Sequence, residues 1–470
     1  MQRLTGLESL FLNLESARWP MHGAGIAIVD PSTAPEGFGY ETLRRVLEER
    51  LHLVPLLRRR IVEVPFGLDQ PVWIEDPDFD LGYHLHRVGV PAPGGLRELA
   101  DLAVELCGPP LDRTRPLWEI WYVEGLEHGH VAVIEKMHHA CTDGMGGIEL
   151  ISRLFDREPS PREVPPPPEP WEPEPVPSPV DMLVRALPSI AATPVRIARS
   201  AMQISEGVRR GRQRKDEEDH EPGRSFRAPR VSFNGTVAGT PHKALAFVSL
   251  AMADVQLVKQ TFGVTVNDVV LAACAGSLRR YLDGRNELPQ EPLTVCAPVN
   301  VRTEDEHGLP GVHVSLMFTP IATDIEDPVE RLQEIHASTS ATKHVHAARG
   351  TGVMKTIVEL PSPNIWVMLS HLIEARHLGA LLPPMFNACI SNIVGPSETL
   401  YLGGARLLHH YVLGMLYESI GLFIPLISYA DSIDIGITAV RELTPDPWPI
   451  ADGVREALHE LVKAAEEVGP

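Results

Sequence analysis

Positive charge is in short supply in this 470-residue chain: 42 Lys and Arg stand against 62 Asp and Glu, a formal net charge of -20. That balance opposes non-specific attraction to nucleic acid or to an anionic bilayer over the surface as a whole, so a nucleic-acid partner is not expected. Cysteine is equally sparse. Cys107, Cys141, Cys274, Cys296 and Cys389 are scattered with no C-x-x-C pair, which suits free thiols in a reducing compartment better than a disulfide framework. No long unbroken apolar run exists either. The most apolar stretch, Tyr411 to Ala430, is interrupted by Gly414, Glu418, Gly421 and Pro425, and reads as buried strands rather than a membrane span. The amino terminus meets Glu8 before an apolar segment can begin, so no secretory signal is expected and the expected location is cytoplasmic. No short internal repeat is visible.

What is present is an ordinary globular composition, with hydrophobic residues at 44% and charged residues at 22%. The length exceeds what a single hydrophobic core usually supports, so two domains are expected. The boundary is marked by proline: eleven of the 44 fall between Pro159 and Pro179, interleaved with acids, and such a segment favours an extended, exposed connector. A basic, amphipathic island follows from Asp181 to Lys215, with Met182, Leu183, Leu187 and Ile190 among Arg185, Arg196, Arg199 and Arg209. It reads equally as a helix touching anionic lipid headgroups, on a membrane or lipid inclusion, or as a connector helix packed on the body. The resulting division is 1–157, a connector over 158–225, and 226–470.

Both halves mix strands and helices, an α/β class. Strand patterns occur at Gly25 to Val29, Val72 to Ile74, Val131 to Ile134, Ala244 to Leu250 and Leu293 to Val301. Helical spacing occurs at Tyr40 to Leu53, Val266 to Leu282 and Ala451 to Val468, the last with Asp452 as its expected cap.

The chemistry concentrates in His138-His139-Ala140-Cys141-Thr142-Asp143-Gly144, directly after an apolar strand. Adjacent residues of an extended chain point to opposite faces, so one imidazole can face a cavity while the other packs inward. The pattern alone does not say which. Asp143 stands at the entrance of the next helix, where a carboxylate can hold a neighbouring arginine or an amide cluster and fix the loop. Gly144, Gly146 and Gly147 allow close backbone approach. A histidine suits acyl transfer because it can take a hydroxyl proton near pH 7 and return it to a leaving thiolate, and a thioester is already activated. A zinc site is not indicated, because the histidines lack i, i+4 spacing and no cysteine pair accompanies them. His409-His410 has no following Asp-Gly and is assigned a structural role.

The histidine motif resembles that of the CoA-dependent acyltransferase superfamily, and the chain as a whole resembles its bacterial wax ester synthase/diacylglycerol acyltransferase branch. The resemblance runs through Leu10-Phe11-Leu12, Pro20-Met21-His22, Phe79-Asp80-Leu81 and Pro110-Leu111-Asp112-Arg113-Thr114-Arg115-Pro116-Leu117-Trp118-Glu119. It continues in Thr265-Val266-Asn267-Asp268-Val269-Val270-Leu271-Ala272, Pro298-Val299-Asn300-Val301-Arg302 and Ser391-Asn392-Ile393-Val394-Gly395-Pro396. It implies two chloramphenicol-acetyltransferase-like domains with an active-site tunnel at their interface. It also implies that His139 is the base, with acyl-CoA as co-substrate, no metal or other cofactor, and diacylglycerol or a fatty alcohol as acceptor.

Pro116, Leu117 and Trp118 read as a buried turn on sequence alone and as acyl-channel lining by resemblance. Asn267 and Asp268 open a helix and are expected to cap it and scaffold the site; Arg302 is the expected partner of Asp143. Ser391 and Asn392 are candidate oxyanion donors. The chain departs from the family where a basic pair usually precedes the strand after the connector, having His242-Lys243 instead. Two other readings share these motifs: a lipid-binding or lipid-inclusion protein that kept the fold without activity, and an acyltransferase with a different acceptor.

Overall fold

Strand alternation and helical periodicity build two layered α/β units. The computed structural model describes residues 1–141, 144–167, 171–191, 202, 228–237, 242–300, 314–349, 367, 372, 384–418 and 420–468. The strands of the first unit are β1 (Gln2–Arg3), β2 (His22–Asp30), β3 (Arg59–Val62), β4 (Val72–Glu75), β5 (Leu85–Gly89), β6 (Trp118–Glu124) and β7 (Val131–His138). Its helices are α1 (Gly6–Leu14), α2 (Tyr40–Arg50), α3 (Leu96–Cys107) and α4 (Gly144–Leu154). The second unit contributes strands β8 (Lys243–Ala251), β9 (Thr294–Asn300), β10 (Val314–Pro320), β11 (Ala388–Val394), β12 (Tyr401–Leu402), β13 (Ala405–Leu413), β14 (Leu422–Tyr429) and β15 (Ser432–Val440). Its helices are α5 (Met252–Phe262), α6 (Val266–Asp283), α7 (Pro328–Arg349) and α8 (Trp448–Val468).

Two six-stranded sheets organise these elements, one in the order β10-β9-β11-β14-β15-β8 and one in the order β12-β13-β2-β7-β6-β5. The second order shows that β12 and β13, from the distal half of the sequence, complete the sheet carrying the histidine motif. β13 runs antiparallel to β2, pairing Leu413 with Ala24 and Val412 with Gly25. Its other side meets β15, where a Cβ on Gly436 would collide with the Val412 carbonyl oxygen, so the two sheets touch backbone to backbone. The stretch Tyr411 to Ala430 accordingly splits between β13 and β14, as buried strands.

Burial follows sequence character. In α6 every residue from Val269 to Leu278 is buried, which suits a helix apolar nearly all round packed at the centre of its unit. α8 buries Val454, Leu458, Leu461 and Ala465 on the face expected from their spacing. It starts earlier than expected, however, and Asp446 Oδ1 rather than Asp452 receives the first amide, that of Trp448, at 3.0 Å. Pro447, whose carbonyl accepts the Ile450 and Ala451 amides, and Pro449 in the first turn supply a start that the apolar periodicity alone does not register. Arg50 and Asp156, both buried and 2.7 Å apart, lock α2 to the end of α4. The proline-rich connector packs through Trp171, whose Nε1 donates to Glu75 at 2.7 Å and whose ring lies under Arg58.

Candidate active site

β7 lies inside its sheet, between β2 and β6, yet alternate residues keep accessible surface: Glu135, Met137 and His139 are half-buried while Lys136, His138 and Ala140 are buried. The same face of β2 exposes Gly23 and Gly25, which pair with Met137 and Glu135, and β13 adds half-buried Val412 opposite Gly25. Surface retained by a central strand on one face only marks a trough there, and the two glycines make its floor low. The trough ends at Ala27 and Val133, both fully buried.

His138 takes the inward position. It has no accessible surface, its Nδ1 accepts the Ala140 amide at 2.9 Å, and its Nε2 therefore carries the hydrogen and faces Glu15 Oε1 at 3.4 Å. Burial pushes the His138 pKa down, against the pull of Glu15, so the ring is neutral near pH 7. Burial would raise the Glu15 carboxyl, but the hydrogen bond and charge of His138, then Arg113, reverse this and hold it at about 2. Arg113 binds Glu15 Oε2 through Nε at 2.9 Å and Nη2 at 2.7 Å, and also reaches the Leu12 carbonyl. An Arg113–Glu15–His138 chain thus pins the strand end to α1 from behind.

His139 faces the trough. Its amide donates to the Met21 carbonyl at 2.9 Å, its ring sits 5.4 Å from that of Phe11, and its Nε2 hangs over Gly23, 3.3 Å from where a Cβ would stand. Leu413 O is equally close to that point, so β13 from the distal half of the chain borders the same glycine. The neighbouring wall is apolar, with Met21, Trp19 and Leu416 buried against Phe11, Met415 and Phe423.

The remaining residues fall into separate groups. Leu117 and Trp118 are buried; the Leu117 carbonyl accepts the His138 amide at 3.1 Å, and Trp118 stacks on His84 and donates to the Leu57 carbonyl. Pro116 is buried beside them. Gly144 begins α4, while Asp143 and Arg302 lie outside the described residues.

In the second unit Thr265, not Asn267, caps α6, through a capping box with Asp268. Asn267 instead accepts a hydrogen bond from Asn392 Nδ2 at 3.2 Å, which brings two of the sequence candidates together on α6 and β11. Ser391 is half-buried next to it. Asp268 is buried and binds the Thr265 amide, His336 Nδ1 at 2.7 Å and Thr339 Oγ1 at 2.7 Å, tying α6 to α7. Burial would raise its pKa, but the hydrogen bonds of His336, Thr265 and Thr339 hold it below the usual carboxylate value.

Sequence reasoning missed Glu15, His336, Gly23 and Gly25. The glycines carried a usable signal, because alternate glycines within a strand mark a face that something must approach closely. The departure at His242-Lys243 also finds a role: Lys243 Nζ reaches the Cys107 carbonyl at 3.4 Å, joining β8 to α3, and burial lowers its pKa to about 8.

A Mycobacterium tuberculosis protein named as a candidate diacylglycerol O-acyltransferase is 34% identical over 99% of this chain and 91% of its own length. The wax ester synthase/diacylglycerol acyltransferase of Marinobacter aquaeolei VT8 superposes with a TM-score of 0.70 at 26% identity, over 99% of this chain and 100% of that one. A variant starter condensation domain of rhizomide synthetase, solved with C8-CoA and Leu-SNAC, superposes at 0.57 over 99% of this chain and 94% of that one; at 12% identity it shows the fold alone. The wax ester synthase/diacylglycerol acyltransferase catalytic domain matches residues 4–270 and the family's C-terminal domain residues 311–462, so the chain belongs to that family.

Proposed function

We propose that the chain transfers a long-chain acyl group from acyl-CoA to the hydroxyl of a lipid alcohol, diacylglycerol or a long-chain alcohol, with His139 as general base. The observation that carries this reading is the division of labour between the two histidines: His138 is buried and held from behind, whereas His139 keeps accessible surface over a glycine floor. His139 Nε2 takes the hydroxyl proton as the alkoxide oxygen attacks the thioester carbonyl. The tetrahedral intermediate collapses with cleavage of the C–S bond, and the imidazolium returns the proton to the CoA thiolate. No covalent enzyme intermediate is formed. The donors assigned to the oxyanion are Ser391 and the Asn267–Asn392 pair, in which Asn392 spends one amide hydrogen on Asn267 and retains another.

The reading is tested by following free CoA release from a long-chain acyl-CoA with diacylglycerol, long-chain alcohols, amines and carrier-bound acyl groups. Release with the alcohols, confirmed as ester product, is expected. Binding of lipid with no release for any acceptor would replace the enzyme with a lipid-binding protein on the same fold.

The proposal extends to a peripheral position on lipid inclusions or on the cytoplasmic face of a membrane. The helical stretch 179–191 buries Met182 and Ala186 against Val64, while Val180, Val184 and Leu187 are exposed at i, i+4, i+7 spacing on the outward side. An exposed apolar stripe followed in sequence by Arg196, Arg199 and Arg209 suits contact with anionic lipid. The free, buried state of all five cysteines fits a reducing compartment. Deleting residues 181–215 is expected to abolish co-sedimentation with anionic vesicles, and unchanged sedimentation would dismiss the membrane role.

A further inference from the structure

The trough floored by Gly23 and Gly25 carries polar groups before it closes at Ala27 and Val133. A Cβ placed on Gly25 would stand 2.8 Å from His410 Nε2 and 3.6 Å from Glu135 Oε2, so an imidazole and a carboxyl converge over that glycine. Both groups are chemically out of place in a greasy passage. His410 is 5% exposed, and neither ring nitrogen has a hydrogen-bond partner among the described residues. Its backbone amide donates to Asp434 Oδ2 at 2.8 Å. Burying an imidazole with no partner is costly, so this ring calls for a hydrogen-bonding occupant of the trough, water or a ligand.

Glu135 lies on the open face of β7 in register with Gly25, while its strand neighbours Ile134 and Lys136 are buried. Gly23, under the His139 ring, and Gly25, under this pair, are two residues apart on one face of β2, a separation of roughly 7 Å. The polar pair therefore stands one strand step from the base.

We propose that Glu135 and His410 form an acceptor-selecting station, which binds the ester oxygen beside the free hydroxyl of a diacylglycerol and so favours that acceptor over a simple long-chain alcohol. The inference rests on His139 being the base. Burial pushes the Glu135 carboxyl up to about 7 and the His410 imidazole down to about 4, so near neutral pH a protonated carboxyl and a neutral ring can each donate a hydrogen. An ester carbonyl has lone pairs and no hydrogen, which complements two donors. In a diacylglycerol the ester sits on the glycerol carbon next to the hydroxyl-bearing one, a span that fits between His139 and the pair. A fatty alcohol carries only methylene there and would leave both donors unpaired, the situation in which a polar site discriminates most strongly. The assignment replaces the structural role given to His410 from sequence.

The test compares kcat/KM for a diacylglycerol and for hexadecanol, with one acyl-CoA in the same mixed micelles, in the wild-type chain, E135L, E135Q and H410L. The diacylglycerol-to-alcohol ratio is expected to fall by about tenfold or more in E135L and H410L, while E135Q, whose amide still donates, stays within about threefold of wild type. A ratio unchanged in both E135L and H410L, with the two acceptors falling in proportion, would show that the pair acts through packing and overturn the proposal. Loss of both activities in E135L alone, with H410L at the wild-type ratio, would overturn it as well. No transfer to either acceptor by the wild-type chain would instead strike the base reading, and this one with it.

Discussion

Replacing His139 with alanine is expected to cut acyl transfer by about 10²–10⁴-fold, the usual worth of a positioned general base, with the thermal unfolding midpoint almost unmoved. The two parts of that expectation come from different observations. The catalytic part follows from Nε2 being the atom of the motif that hangs over the open floor at Gly23, between an apolar wall and the Leu413 carbonyl. The stability part follows from where His139 is anchored: its backbone amide bonds Met21, a contact that alanine retains, and its half-buried ring packs against Phe11 without closing a core cluster. Single-turnover measurement with acyl-CoA and alcohol, beside a melting curve, checks both. Wild-type turnover in the variant would remove the imidazole from the mechanism, whereas a collapsed midpoint would reassign it to the fold.

That His139 rather than His138 takes this place shows how far local pattern reaches. The alternation of an extended strand requires that two adjacent imidazoles part company, and sequence conveys this without help. Which one turns inward is decided by partners far away in the chain: Glu15 at the end of α1, and Arg113 in the segment before β6. Glu15 carries no local mark, being one acid among 62 Asp and Glu. Resemblance to a family could select His139, but the physical reason His138 turns inward lies in its tertiary contact with the Arg113–Glu15 ion pair.

The same limit applies to sheet membership. Each half reads correctly as mixed α/β, and β13 is visible as an apolar strand, yet its partner is β2 of the first unit. Strand patterns specify which face is buried and not which sheet receives the strand, so the crossing of β12 and β13 escapes a linear division at residues 157 and 226. Asn267 illustrates a finer miss. It sits one position inside the helix, where Thr265 already satisfies the first turn, and its amide is thereby left to meet Asn392.

Glu15→Ala is expected to lower stability at pH 7 by about 2–3 kcal/mol and to reduce kcat by about tenfold or more with a smaller change in KM. The stability figure starts from a buried carboxylate, 6% exposed, held at about 2 against an ordinary 4.5, a difference equivalent to at most about 3 kcal/mol. It is reduced because Arg113, 36% exposed, can turn to water once its partner is gone, and because His138, neutral near pH 7, lends no charge to the pair there. Since the folded-state pKa is depressed, this stabilisation is complete above the unfolded value and is lost as pH falls from 4.5 towards 2. The wild-type chain should therefore lose stability through that acid window, and the alanine variant should show a flatter limb there. The kinetic part arises because Glu15 also accepts the Met21 amide at 3.3 Å, and Met21 in turn holds the His139 amide. Removing the carboxylate loosens the base from two directions without touching substrate, so kcat bears the loss. Glu15→Gln keeps an acceptor for both hydrogen bonds and is expected to recover most of kcat while remaining less stable than wild type. Denaturant titrations across the acid range and steady-state kinetics on the two variants decide it, and equal losses in kcat for alanine and glutamine would refute a positioning role.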